Sequence, residues 1–485
     1  MANDQLRTWV YTLLTVVAVA GVAARICNAE LVYEPSLHRN AEESFPPAPQ
    51  RVWPARRPAA MPTFSSNDRS RWATVRALVD DGTTMIGHGE FDRDLGKWRG
   101  GPGVESGIVA EDGWGTIDKM MNPDTGEIFS TKPPLLTFVA AAEYWVLKHL
   151  LGWSITQDTN LVIRTILLTL NAGSLAVYLI LLRRLVERLG TTDWGRLFTF
   201  TAACFATFMT TFSVTLNNHT LAAVAAVAAI YPVLARDEGE RLSGGAMMGA
   251  GFFAGLTVCL ELPAAAFAGL LFVVMLWREP RLTLTHGLPA AILPIGVEFG
   301  LNFAAIGQWL PAYAKVGGPW YQYPGSHWLP PAAGQIKHGI DWARMHESIY
   351  AYWFHCLIGH HGLFSLTPIW LLAFAGMFMK LRTGRPRFFA PLVLLTSIIV
   401  IGFYLVKSDN YGGWTSGLRW LIWLTPLWLL TMLPMMDRLA QSMWGRRLAY
   451  LLLAMSVFSA AYPAWNPWRH PWLYRLLESY GWISY

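Results

Sequence analysis

Apolar runs long enough to cross a bilayer recur along the chain. A spanning helix needs about 20 largely apolar residues, with about 17 as the lower bound. Segments 8–24, 162–182, 197–214, 220–234, 246–260, 264–277, 287–306, 363–379, 389–406, 420–436 and 448–462 come near that length, which predicts eleven spans. Segments 220–234 and 264–277 are short and must borrow flanking residues or sit in thinned lipid. Segment 8–24 could serve as a signal peptide, but so many spans follow that it reads as a retained first helix. Segment 133–153 is also apolar, yet Glu143, Lys148 and His149 interrupt it. Charges are costly at a helix centre in lipid, so an amphipathic helix lying in the interface is predicted there.

The loops between spans fix sidedness. Fifteen Lys and Arg lie in loops 183–196, 236–241, 278–281, 380–387 and 437–447, whereas the intervening short loops hold only Lys407. Basic residues near span ends collect on the cytoplasmic side, which puts the N-terminus inside. Two large segments, 25–161 and 307–362, are then outside. The domain reading follows: one transmembrane domain over 1–462 that includes both outer loops, and a short aromatic tail over 463–485. Residues 33–62, rich in Pro, Ala and Arg, read as an extended tether.

Composition agrees with this picture and narrows it. Of 485 residues, 53% are hydrophobic and 14% charged, against about 25% charged in soluble domains. Disordered chains, disulfide-built modules and ordinary soluble enzymes are excluded. The net charge of +6 is carried largely by the inner loops, so it is a topology signal and no nucleic-acid partner is expected. Cys27, Cys204, Cys259 and Cys356 show neither CxxC nor zinc spacing.

Polar residues in such a chain are the candidate chemistry. They gather in four outer groups: Asn67 to Trp72, Ser130 to Leu135, Asn217-Asn218-His219, and Gly412 to Arg419. Taken singly, each has a plain structural reading. Asp68 could cap a helix running to about Asp80, Lys132 could anchor an interfacial helix, His219 could be a hydrogen-bonded cap, and the Gly412–Gly417 run could be a turn. Six histidines between His327 and His361 (His327, His338, His346, His355, His360, His361) match no metal-ligand spacing, and lining of an acceptor cleft suits them better.

Order and context say more. The run DRSRWATVRALVDDG (68–82), followed by TGEIFSTKPPLLTF (125–138), resembles the polyprenyl-phosphate-dependent glycosyltransferases of the GT-C type. That group includes the protein O-mannosyltransferases and the aminoarabinose transferases that modify lipid A. Asp68, Lys132-Pro133-Pro134-Leu135, Arg164 at the start of the next span, and the Gly-rich run 412–419 ending in Arg419 match the group's motifs.

The resemblance implies an all-α polytopic GT-C-like bundle whose first outer loop carries the active-site motifs. It further implies transfer of a hexosyl or pentosyl group from a polyprenyl-phosphate donor. The acceptor would be a lipid, protein or polysaccharide hydroxyl at the outer face of the cell (inner) membrane. In that reading Asp68 is the base, while Lys132, Arg164 and Arg419 hold the lipid phosphate. The chain departs from the pattern in two places. Arg69 stands where a second acidic residue is usual, and Asn217-Asn218-His219 stands where the next outer loop usually has a carboxylate. Asn218, His219 and Arg69 are therefore candidates for an acceptor or second site. The motifs demand no cofactor; a divalent metal is compatible with them, and if it depends on the usual second carboxylate the chain either lacks it or uses His219. A secondary transporter would need ionisable residues in mid-span, and Glu261 and Glu298 are the candidates. A non-catalytic lipid-sugar-binding protein is the third reading, motivated by Arg69 and Asn217-Asn218.

Overall fold

The computed structural model describes residues 2–29, 61–63, 65–315, 317–331, 335–383 and 386–485. The tether predicted over 33–62 lies almost wholly outside the described residues, as do residues 384 and 385 of the basic loop 380–387. After α1 (Ala2–Asn28) come α2 (Ser66–Arg76), α3 (Pro134–Leu151), α4 (Thr159–Leu167), α5 (Ser174–Leu189), α6 (Asp193–Phe205), α7 (Phe208–Phe212), α8 (Asn218–Leu234), α9 (Gly244–Leu260) and α10 (Ala265–Arg278). A short turn, α11 (Pro280–Leu282), leads into α12 (Leu288–Ile306). There follow α13 (Ile349–Leu357), α14 (Leu363–Leu366), α15 (Ile369–Thr383), α16 (Phe389–Lys407), α17 (Thr425–Leu439), α18 (Met443–Ala461) and α19 (Trp472–Ser479).

Among the described residues, five helical stretches are long and apolar enough to cross a membrane: Asp4–Asn28, Thr159–Leu189, Pro280–Ile306, Phe389–Lys407 and Arg419–Leu439. Four shorter apolar helices accompany them. The stretch predicted as one span over 197–214 is two helices, α6 and α7, broken at Ala206-Thr207.

Helices α8 and α17 form the centre. The alanines of α8 let α9 pack closely along it, and α17 packs against α6 and α15. Peripheral helices instead keep apolar side chains on the surface. Leu6, Trp9, Leu13 and Val16 of α1 and Leu395, Ile398, Ile399 and Phe403 of α16 are exposed, as suits surfaces solvated by lipid tails.

The basic loops gather at one end of the bundle. There Arg188 pairs with Asp237 (2.9 Å) and Arg278 donates to the Val233 carbonyl (2.9 Å). The N-terminus joins that end through Arg7, which bonds Glu187 (2.7 Å) and also Asp193. The motif-bearing loops occupy the other end.

Two small β units stand at that other end. One pairs β1 (Gly87–His88), β5 (Glu127–Ser130) and β4 (Lys119–Met121) in the order β1-β5-β4, all antiparallel. The other is the hairpin of β2 (Glu90–Asp92) and β3 (Lys97–Arg99). The segment NPDTG (122–126) supplies the turn between β4 and β5, and Gly126 has φ 77°. The second outer segment lies on this sheet: Trp328 donates to the Ile117 carbonyl (2.9 Å), and Gly100 N–H donates to the Pro324 carbonyl (2.9 Å).

The interfacial helix predicted over 133–153 is α3. It buries Leu136, Ala140, Tyr144 and Leu147, while Val139, Trp145, Val146, Leu150 and Leu151 are exposed. Its polar side chains are partnered: Glu143 accepts from Thr169 (2.6 Å), and Lys148 pairs with Asp80 (2.7 Å).

Candidate active site

Hairpin register creates the centre of the site. Lys119 pairs with Ser130, so the next residues outward, Asp118 and Thr131, also face each other, and Thr131 N–H donates to the Asp118 carbonyl (3.2 Å). Lys132, one residue further, reaches across to Asp118 Oδ1 (2.6 Å). Ser70 of α2 stitches the helix to both strands: its hydroxyl lies 2.6 Å from the Asp118 carbonyl and 2.6 Å from the Ser130 hydroxyl. The Pro133-Pro134 pair has no N–H to offer, so Leu135 is the first donor at the start of α3. Its N–H donates to Glu298 Oε2 of α12 (3.0 Å), which anchors the Lys132 turn to the bundle.

Helix α2 supplies the second cation. Ser65 caps it, and Asp68 closes a capping box by accepting from the Ser65 N–H (2.8 Å) and hydroxyl (3.0 Å). Ser65 rather than Asp68 is thus the cap, and Asp68 stands three residues into the motif. The helix continues through one π-type turn (Ala77–Asp81) and stops at Gly82, whose φ is 68°. Arg71, one turn beyond Asp68, is buried; it bonds Asn67 and donates to Asn218 Oδ1 (2.6 Å).

Asn218 and His219 open α8 and meet Glu261, just past the end of α9. Asn218 donates through Nδ2 to Glu261 Oε1 (2.7 Å), and His219 Nδ1 bonds the same oxygen. Asn217 is the true cap, accepting from Thr220 N–H (3.0 Å).

Arg419 comes from the Gly-rich run before α17. It lies over the Trp468 ring (4.7 Å to the centroid), beside Gly412, whose φ of 95° holds the loop against the guanidinium. Its Nε and Nη1 are buried and have no hydrogen-bond partner among the described residues. Arg71 Nε and Arg69 Nε are in the same condition.

Charges in this cluster act on one another. Burial pushes the Lys132 ammonium down to about 8, with Arg71 and Arg419 adding to the fall and Asp118 opposing it. Burial works to raise the Asp118 carboxyl, but Lys132, Arg419 and Arg71 together hold it below its ordinary value. Burial foremost, then repulsion from Arg419, lowers Arg71 to about 10. Lys132 borders a small pocket between α3 and α12 that is lined by polar residues (Thr74, Thr137, Asn302) as well as apolar ones (Met120, Phe129, Phe138).

Of the residues singled out in the sequence, Lys132, Arg419, Asn218 and His219 belong to this cluster, and Asp68 stands at its edge. Arg164 donates to the Ala29 carbonyl at the end of α1 (3.2 Å). Of the two ionisable residues that a transporter would place in mid-span, Glu261 sits at the loop end just past α9, whereas Glu298 lies within α12, inside the apolar stretch Pro280–Ile306. Among the described residues, no group of three or more His, Cys, Asp or Glu is placed to hold a metal. His360 and His361 are buried together, with His360 Nε2 2.8 Å from the Tyr485 hydroxyl and both rings near Tyr411. The four cysteines are free thiols.

Sequence reasoning missed Arg71, Asp118 and Glu261 as parts of one group. Arg71 lies inside the quoted motif, three residues after Asp68. Asp118 was hidden in what reads as an insertion, although the NPDTG turn between two short apolar runs is a hairpin signal whose register would have found it.

No protein-family model and no curated protein sequence matches the chain. Among solved structures, it is similar to ArnT from Cupriavidus metallidurans bound to undecaprenyl phosphate, with TM-score 0.52 and 15% identity over 94% of this chain. Apo ArnT from the same organism gives TM-score 0.51, again with 15% identity over 94% of this chain. The chain spans 65% and 64% of the two ArnT chains. A fainter likeness, TM-score 0.44 and 10% identity over 98% of this chain and 56% of the other, is to the Archaeoglobus fulgidus oligosaccharyltransferase. The ArnT likeness shows fold alone, and it agrees with the motifs: the chain has the helical fold of the GT-C type membrane glycosyltransferases that its sequence resembles.

Proposed function

We propose that the protein transfers a sugar from a polyprenyl-phosphate donor to an acceptor hydroxyl, at the outer face of the membrane. The observation that carries this reading is the set of buried, unpartnered guanidinium N–H groups on Arg419 and Arg71 beside Lys132. Leaving buried donors unsatisfied costs about 1–3 kcal/mol each, more for charged groups. An anionic ligand relieves that cost, and a phosphate is matched to guanidinium geometry.

In the reaction, the bond between sugar C1 and the phosphate oxygen breaks, and a bond between C1 and the acceptor oxygen forms. The bonding pair stays on the phosphate, which passes from a diester to a monoester and gains charge. Lys132, Arg71 and Arg419 stabilise that charge in a site screened from water. Because phosphate departs without protonation, no general acid is needed, unlike glycoside hydrolysis. Asp68 holds α2 in place through its capping box, so that Arg71 faces the phosphate. Arg164 is a further candidate for holding the phosphate, as its place in the motif implies.

Titration of the purified protein with undecaprenyl phosphate tests this reading. Saturable binding is expected at neutral pH. Affinity should fall as pH rises through about 8, because Lys132 is charged below that value and loses its proton above it. Absence of binding at neutral pH would refute the reading.

A further inference from the structure

We propose that His219 is the base that activates the acceptor hydroxyl, with Glu261 as the positioning residue that orients it. This rests on the reading above and adds the group that handles the proton.

Four carboxylates lie near the phosphate-binding cations, and Asp341 among them is bonded to His327 Nε2 (3.2 Å). Asp68 spends Oδ1 on the backbone and hydroxyl of Ser65. Asp118 is ion-paired with Lys132 at 2.6 Å and is held below its ordinary value, which makes it a poor proton acceptor at neutral pH. Glu261 remains, and it faces an imidazole.

The hydrogen bonds assign the tautomer. Ionised Glu261 only accepts, so His219 Nδ1 carries the proton in the bond to Oε1, and the lone pair is on Nε2. Nε2 has no hydrogen-bond partner among the described residues. Asn218 Nδ2 holds the same Glu261 oxygen (2.7 Å) and the Leu260 carbonyl (2.7 Å), which fixes the carboxylate relative to both helices. Asn218 Oδ1 in turn receives Arg71 Nη2 (2.6 Å). The imidazole is thus tied through Glu261 and Asn218 to a guanidinium of the phosphate cluster, so proton acceptor and leaving-group site are parts of one rigid network.

The step balances without a co-reactant. Nε2 takes the acceptor's hydroxyl proton as the acceptor oxygen bonds to sugar C1, and the C1–phosphate bond breaks with its electron pair kept by the phosphate. Glu261 offsets the imidazolium charge, and the proton then passes to water. Neither the chain's missing second acidic residue nor its Asn217-Asn218-His219 sequence is then a defect. The carboxylate comes from the end of α9, and histidine does its work.

The test uses full-length protein in membranes from cells that make the donor and acceptor, together with undecaprenyl phosphate binding by purified protein. His219→Asn keeps a nitrogen near the Nδ1 position for Glu261 but removes Nε2. Transfer should fall about 100-fold or more, with undecaprenyl phosphate binding within about twofold of wild type. Glu261→Gln, which can still accept from His219, should lower transfer about tenfold or more and also leave binding intact. Lys132→Ala should lose binding and transfer together.

The dyad is refuted if His219→Asn keeps more than half of the wild-type rate, or if it loses binding and transfer in parallel, as a structural residue would. Should that variant fail to fold, Glu261→Gln decides the matter by the same criteria. Wild-type protein that does not bind undecaprenyl phosphate would refute the donor reading itself, a different failure from that of the dyad.

Discussion

Replacing Arg419 with alanine is expected to weaken undecaprenyl phosphate binding about 10- to 150-fold and to leave sugar transfer near background. Hydrogen bonds to charged groups contribute about 1.5–3 kcal/mol, and each 1.4 kcal/mol is a tenfold change in affinity. The guanidinium has two buried nitrogens without partners, so little that is useful to the fold is lost with it. Relieving that desolvated charge should leave thermal stability unchanged or slightly raised, and this sets Arg419 apart from a residue that merely packs. Arg419→Lys restores charge but not the two-pronged donor, so it should recover binding only in part. Equal binding by wild type and Arg419→Ala would remove Arg419 from the phosphate site.

The second large effect lies in the bundle, where stability and site geometry are coupled. A Cβ at Gly251 would meet the Gly287 carbonyl oxygen at 2.0 Å, and one at Gly255 would meet the Ala291 carbonyl oxygen at 2.3 Å. These two glycines, four residues apart on α9, let the backbone leading into α12 approach as small residues do between membrane helices. Gly255→Val is expected to cost about 3 kcal/mol or more, since both neighbours are backbone and cannot rotate aside. Gly269→Val on α10, where a Cβ would meet nothing within 4 Å, is the matched control and should be nearly neutral. Because Glu261 follows α9 and Glu298 sits on α12, separating these helices also moves the His219 partner away from the Leu135 anchor. Gly255→Val protein that survives should therefore lose transfer as well. Thermal unfolding of the two variants in detergent decides the point, and equal midpoints would contradict the close approach.

Much of this arrangement was legible in the chain, for identifiable reasons. Apolar runs bounded by basic loops reveal helices because lipid leaves backbone groups no partner but their own segment. Glu143 and Lys148 on α3 find polar partners in Thr169 and Asp80, as charges interrupting an apolar helix must. Lys132 and Arg419 could be chosen because the Lys-Pro-Pro-Leu run and the Gly-rich run ending in Arg419 match the motifs of the group the sequence resembles.

The missed residues share a different property. Asp118 meets Lys132 only through the β4–β5 register, and Glu261 meets His219 only where the ends of α8 and α9 coincide. No local period encodes such meetings. Arg164 differs again: its motif position is legible locally, and its described hydrogen bond runs to the Ala29 carbonyl at the end of α1. Residues 197–214 illustrate a third limit, because hydropathy alone does not register the break at Ala206-Thr207.

The central claim, that the protein consumes a polyprenyl-phosphate sugar, is tested most directly by mass spectrometry of lipid extracts from cells with and without the chain. Cells lacking it should accumulate one polyprenyl-phosphate-linked sugar and lose one glycosylated lipid, protein or polysaccharide. Wild-type protein should reverse both changes, and Arg419→Ala neither. An unchanged pool of polyprenyl-linked sugars, with every glycosylated product still present, would contradict the account.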